Sequence, residues 1–216
     1  VDGALVRGFE ARMQPERLAS ATLYLPTRRA GRLAHGIFLD VLGTDAAILP
    51  RIVALGDIDE DELAFSEEVE PGSIAPLDIP PNLGELERRL ALARLVAAWA
   101  KRPVLSPLVV GGPASTLALA GDLARLIDDM VTRGVDWSAL DRLVPDQFDQ
   151  YWQHTLEFLK IAREYWPAFL AEEKKIEPAA RRDMLIEAEA ARLTRHHDGP
   201  VIAAGSTGSM PSTAKF

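Results

Sequence analysis

Cysteine is absent from this 216-residue chain, which excludes disulfides and thiolate metal sites. That absence fits a reducing compartment, and the protein is expected to be cytoplasmic. Long apolar runs are also missing. The longest, Leu90 to Ala100, is interrupted by Arg94 and falls short of the roughly eighteen residues a membrane span needs, so no membrane partner is expected. The first ten residues contain Asp2, Arg7 and Glu10 and do not read as a signal peptide. An excess of positive charge is lacking too: the formal net charge is −8. Neutralising phosphates supplies most of the affinity of a free-standing nucleic-acid binder. Tight DNA binding by this chain alone is therefore not expected, whereas a local basic patch within a larger assembly is compatible with the composition.

Motifs for catalysis are equally sparse. A phosphate-binding P-loop needs Gly-Lys-Ser/Thr, and no Gly-Lys pair occurs anywhere in the sequence. Gly205-Ser206-Thr207-Gly208-Ser209 resembles a phosphate loop only superficially, because it has neither the lysine nor a following acid to hold a metal. Asp57, Asp59 and Asp61, with Glu68 beyond, mimic a calcium loop. Its sixth position requires glycine and here carries Glu62, so an acidic helix start is the better reading. His196 and His197 are adjacent and point to different faces, while His35 and His154 have no acidic or histidine partner at an i+4 spacing. No catalytic, nucleotide-binding or metal residue and no cofactor is assigned.

What is present is an alternation of strands and helices. Ala21 to Leu25 reads as a buried strand, stopped by Pro26. Thr27 can cap a helix over Arg28 to Leu42, ended by Gly43. Ile48 to Leu55 reads as a second strand with irregular ends, and Asp57 to Phe65 as a short helix. Glu67 to Asn82, with Pro71, Gly72, Pro76, Pro80 and Pro81, reads as a linker. Helices then dominate. Leu92, Leu95, Val96 and Trp99 mark one; Leu119, Leu123, Leu126, Ile127 and Met130 mark another, capped by Ser115 or Thr116 and ended by Gly134. Asp136 caps a short turn through Leu143, and Pro145 and Asp146 open a long helix that Pro167 ends or kinks. Pro178 opens the last long helix, and Val201 to Ala204 is a strand again. Trp137, Tyr151, Trp152, Phe158, Tyr165 and Trp166 could stack on bases, but their helical spacing fits a core better. Leu5, Phe9 and Met13 read as mid-helix, and Ser212 to Phe216 as the opening of another, so the chain is expected to be a fragment cut at both ends.

The expected fold class is α/β and mostly helical overall: a small parallel sheet with a large all-helical insertion. The expected domains are residues 1–82 plus 199–216, with 83–198 as the insertion. The best candidate site is Pro26-Thr27-Arg28-Arg29, with Arg32 one turn on. There a strand gives way to a helix, and amides, a hydroxyl and guanidinium groups can converge on a phosphate. A capped helix with solvated arginines is the competing reading.

These residues carry a resemblance. Ala21-Thr22-Leu23-Tyr24-Leu25-Pro26-Thr27-Arg28-Arg29-Ala30-Gly31-Arg32, Leu49-Pro50-Arg51-Ile52 and Leu55-Gly56-Asp57-Ile58-Asp59-Glu60-Asp61 resemble the N-terminal region of the AddB family in its alphaproteobacterial form. Pro178-Ala179-Ala180-Arg181-Arg182 and Val201 to Ser209 resemble later blocks of the same family, in order. The resemblance implies a sheet of P-loop-NTPase or superfamily 1 helicase type that has lost ATPase function. It implies a non-catalytic, DNA-engaging scaffold in a double-strand-break repair helicase–nuclease, with an AddA-like subunit and single-stranded or duplex-end DNA as partners. It also implies DNA contact by Thr27, Arg28 and Arg29, with Arg32 beside them. Ala204-Gly205-Ser206 stands where such a motor would carry its magnesium-holding acid. The alternative expectation is a helical protein-interaction module without direct DNA contact.

Overall fold

Three short strands share one parallel sheet, in the order β2-β1-β3. The computed structural model describes residues 15–55, 79–101, 112–141, 150–195, 197, 199–208 and 210–215. The readings placed on Leu5 to Met13, Asp57 to Phe65, Pro145 and Asp146, His196 and Ser209 lie outside the described residues. The chain divides into two compact units, Val1–Ile79 with Arg182–Phe216, and Pro80–Arg181. Among the described residues, no helix is long and apolar enough to cross a membrane.

In the first unit a short helix α1 (Pro15–Ala19) leads into β1 (Thr22–Leu25). Helix α2 (Arg28–Leu42) follows and returns the chain to β2 (Arg51–Ala54), which pairs with β1 from Thr22↔Arg51 to Leu25↔Ala54. Strand β3 (Val201–Ala203) pairs on the other side of β1, from Thr22↔Val201 to Tyr24↔Ala203. The three expected strands are therefore neighbours and parallel. Each is shorter than the sequence suggests: Ala21 precedes β1, Ile48 is 69% exposed and precedes β2, and Ala204 follows β3. The turn entering β3 runs so close to the Ser20 carbonyl that Gly199 has no room for a Cβ.

Alternation along β1 sends side chains to opposite faces. Leu23 packs with Ala34 and Phe38 of α2, and with Leu18, Ile52 and Ile202. Tyr24 faces the other way, where its hydroxyl donates to Glu189 of helix α8 (Pro178–Arg195). Both faces of the central strand are thus covered, the usual condition of a parallel sheet.

The second unit is helical: α3 (Glu85–Ala100), α4 (Pro113–Arg133), α5 (Ser138–Asp141), α6 (Gln150–Lys160) and α7 (Trp166–Glu172). Its core joins Leu92, Val96 and Trp99 of α3 to Ala120, Leu123 and Ile127 of α4, and to Ile161, Trp166 and Leu170. Leu119 and Leu126 lie at its margin rather than within it. Helix α4 starts earlier than expected. Pro113 holds the first helical position after Gly112, which leaves Ser115 and Thr116 inside the helix rather than capping it. Of the two outcomes expected at Pro167, an end or a kink, the first is corrected: the chain stays helical through it. A five-residue π-helical segment, Ile161–Tyr165, lies just before, and the Trp166 amide donates to the Ile161 carbonyl. The widened turn absorbs the bond that proline cannot make, so α6 and α7 remain continuous.

Candidate nucleic-acid interface

The site begins where β1 ends. Thr27 is extended, with φ −142° and ψ 156°, and its side-chain oxygen accepts from the Ala30 amide at 3.2 Å. It is the N-cap foreseen from the sequence, and its hydroxyl hydrogen is still available to donate. Helix α2 lies against the sheet at Gly31, where a Cβ would meet Ile52 Cγ2 at 3.4 Å. Burying Gly31, Ala34 and Phe38 leaves Arg28, Arg29 and Arg32 exposed. Thr27 is exposed as well. All four sequence-assigned residues therefore lie on one helix start, with no acid in its first turn.

The chain leaving β3 reaches the same edge. The Ala204 amide donates to the Tyr24 carbonyl at 2.9 Å, and Gly205 turns with φ +74° directly against Pro26. A Cβ on Gly205 would sit 3.5 Å from the proline ring, so space is adequate and the positive φ is what favours glycine. Ser206, Thr207 and Gly208 are exposed beyond it, with the Gly208 amide 3.4 Å from Ser206 Oγ. The loop then enters α9 (Pro211–Lys215), docked on α8 by Ser212 Oγ donating to Asp183 at 2.9 Å and by a 2.7 Å pair between Lys215 and Glu187.

This arrangement has a topological consequence. The neighbours of β1 are reached in opposite directions, β2 on one side and β3 on the other. The helices that follow diverge: α2 covers the Leu23 face, while α9 lies on α8, which covers the Tyr24 face. The carboxyl ends of β1 and β3 share one edge of the sheet, with Gly205 packed on Pro26, and this is the edge at which open α/β sheets hold ligands. It carries the 26–29 turn and, beside it, the 205–208 loop.

Beneath β1 lies a polar group that the sequence reading missed. Tyr24 is fully buried and Glu189 is 1% exposed. Arg192 donates to both carboxylate oxygens of Glu189, Nε to Oε2 at 2.8 Å and Nη2 to Oε1 at 2.9 Å. Burial pushes the Glu189 carboxyl up, but hydrogen bonds from Arg192 and Tyr24, with the charges of Arg192 and Arg51, bring it below the ordinary carboxylate value. Burial first, and then Glu189, push the Tyr24 phenol well above its usual range. Glu189 sits four and three positions after the buried Leu185 and Ile186, so a charged residue on the buried stripe of a helix was the available signal.

The other candidates disperse. Trp137, Phe158 and Trp166 pack in the helical unit; Phe158 meets Trp99 edge-on at 5.0 Å, and Trp166 stacks on Phe169 at 5.3 Å. Tyr165 is 41% exposed, and the side chains of Tyr151 and Trp152 lie outside the described residues. Among the described residues, no three His, Asp or Glu side chains come together as a metal site. Comparison with family models, with curated proteins and with solved structures gives no match.

Proposed function

We propose that this chain is a helicase-like, non-catalytic part of a DNA-end-processing machine of the AddB type, holding DNA through Thr27, Arg28, Arg29 and Arg32 while an AddA-like partner supplies the motor and nuclease. In this reading the sheet is of P-loop-NTPase type without its phosphate chemistry, and the protein works in the cytoplasm. The observation that carries it is the shared carboxyl edge of β1 and β3. A helix N-terminus with three exposed arginines opens there, beside an exposed Gly-Ser-Thr-Gly loop that packs on Pro26. Amides at a helix start and guanidinium groups suit phosphate oxygens, and neither reads a base. Ala204-Gly205-Ser206 follows β3 without an acid, which accords with a scaffold rather than a motor.

The test is Arg28→Ala with Arg29→Ala in the assembled complex. Single-strand affinity should fall similarly across sequences, and the salt slope should flatten by about 0.7 for each phosphate contact removed. Thermal melting of the variant serves as the folding control. Unchanged affinity together with an unchanged slope would return these arginines to the role of solvated helix residues.

A second reading, a helical interaction module, has one observation of its own. Leu86 is 70% exposed and Leu90 45%, one turn apart on α3. It predicts that substituting these two leucines with serine weakens complex assembly while the arginine pair leaves DNA affinity untouched.

A further inference from the structure

Helix α2 bears more than a basic start. Each residue of an α-helix advances about 100° around the axis. Arg28, Arg32 and His35 therefore follow one another at i, i+4 and i+7 along a single line, with Arg29, Leu33 and Gly36 flanking it. Arg28, Arg29, Arg32, His35 and Gly36 are all exposed, and Leu33 is 66% exposed. Gly31, Ala34 and Phe38 are buried about a quarter-turn round from that line, on the side away from Arg29, Leu33 and Gly36. The first acid on the helix is Asp40, itself exposed, where the stripe ends. Open space lies beyond Gly36, with nothing near the position of a Cβ. In a chain of net charge −8, nearly three turns of exposed helix face without an acid form a local exception.

We infer that a single nucleic-acid strand lies along this face, its backbone running from the N-terminus of α2 past Arg32 to His35, rather than touching the helix start alone. The inference rests on the function proposed above and extends it. At about 1.5 Å per residue, Arg28 and His35 are about 10 Å apart along the axis, room for more than one phosphate. Charge complementarity selects the occupant: arginine grips phosphate with two parallel donors, and an imidazole N–H donates to the next. Leu33, beside the cations, offers an apolar surface to a sugar or base face. The absence of a side chain at Gly36 lets a backbone approach closely.

The experiment uses the complex assembled with the partner subunit and a fluorescent oligothymidine, read by anisotropy at two salt concentrations, with thermal melting as control. His35→Glu should weaken binding about three- to tenfold at low salt, and His35→Lys should strengthen it and steepen the salt slope by about 0.7. Lys101→Gln, an exposed position in the other unit, changes net charge by one and should have little effect. If Arg28→Ala with Arg29→Ala weakens binding while both His35 variants match Lys101→Gln, the strand stops at the helix start and the inference is overturned, with the proposed function intact. If none of these variants alters binding, both fail.

Discussion

Each unit buries a glutamate between an aromatic donor and an arginine, yet the two carboxyls are driven in opposite directions. In the sheet unit, Glu189 receives Tyr24 and both arms of Arg192, and its carboxyl falls below the ordinary value. In the helical unit, Glu177 receives the indole N–H of Trp166 on one oxygen. Its other oxygen lies 2.8 Å from Arg88 Nη2 without hydrogen-bond alignment. The terminal nitrogens of Arg88 are also engaged elsewhere: Nη1 and Nη2 reach Asp128 at 3.2 and 2.9 Å, and Nη2 also reaches the Ala124 carbonyl at 3.1 Å. Burial prevails at Glu177 and raises its carboxyl against Trp166 and Arg88, with Asp128 adding to the rise. Proximity of an arginine therefore does not by itself lower a buried carboxylate. At Glu189 the aligned bonds from Arg192 and Tyr24 outweigh burial, and at Glu177 an arginine shared with a second acid does not.

The largest expected effects come from breaking each pair. Glu189→Ala leaves the Tyr24 hydroxyl buried without its acceptor and Arg192 without its carboxylate. Arg88→Met leaves Glu177 buried beside Asp128 with no counter-charge. Each should cost about 3 kcal/mol in urea unfolding. The two losses should differ with pH. The Arg88→Met loss should shrink on acidification, because Glu177 then takes up a proton. A loss that is flat between pH 5 and 8 would break the distinction.

Smaller and sharper are the amide variants. Glu189 is lowered in the fold, so its contribution is present above the unfolded carboxylate value and is lost as pH falls through the folded one. Glu189→Gln should therefore destabilise most at neutral pH and progressively less in acid. Glu177 is raised, so its contribution is present below the unfolded value and is lost as pH rises through the folded one. Glu177→Gln, which can still accept from Trp166, should compare best with the parent above the ordinary carboxylate range. Parallel pH profiles for the two variants would show that the environments are alike after all.

The same contrast explains what the sequence made legible. Thr27, Gly43 and the β1 residues act through neighbours a few positions away, and local chemistry placed them correctly. Pro113 and Ser115 compete for one helix start, and the sequence could not tell that the proline's preset backbone would win. At Pro167 the rule that proline breaks helices is sound, but a π-turn five residues long offered another solution. The arginines of the candidate site were visible because they are consecutive. Their setting was not. Gly205 against Pro26, and Glu189 beneath Tyr24, join residues 165 or more positions apart, a proximity that only the fold creates. The unit boundary at Arg181 and Arg182 falls inside α8, where a single uninterrupted helical pattern gives no mark.

The smallest expected effect separates stability from binding at Thr27. Its oxygen caps α2, and its exposed place at the sheet's carboxyl edge puts the same side chain beside the proposed phosphate path. Thr27→Ala removes both roles and should cost about 1 kcal/mol of stability. Thr27→Asp keeps the cap, and its negative charge suits a helix N-terminus, so stability should return to the parent value or slightly above. A carboxylate at that edge would repel a phosphate, however, so DNA affinity should fall further than in Thr27→Ala. Melting temperature and single-strand affinity should therefore rank the two variants in opposite orders. If the orders agree, Thr27 acts on DNA only by holding the helix start together and makes no direct contact.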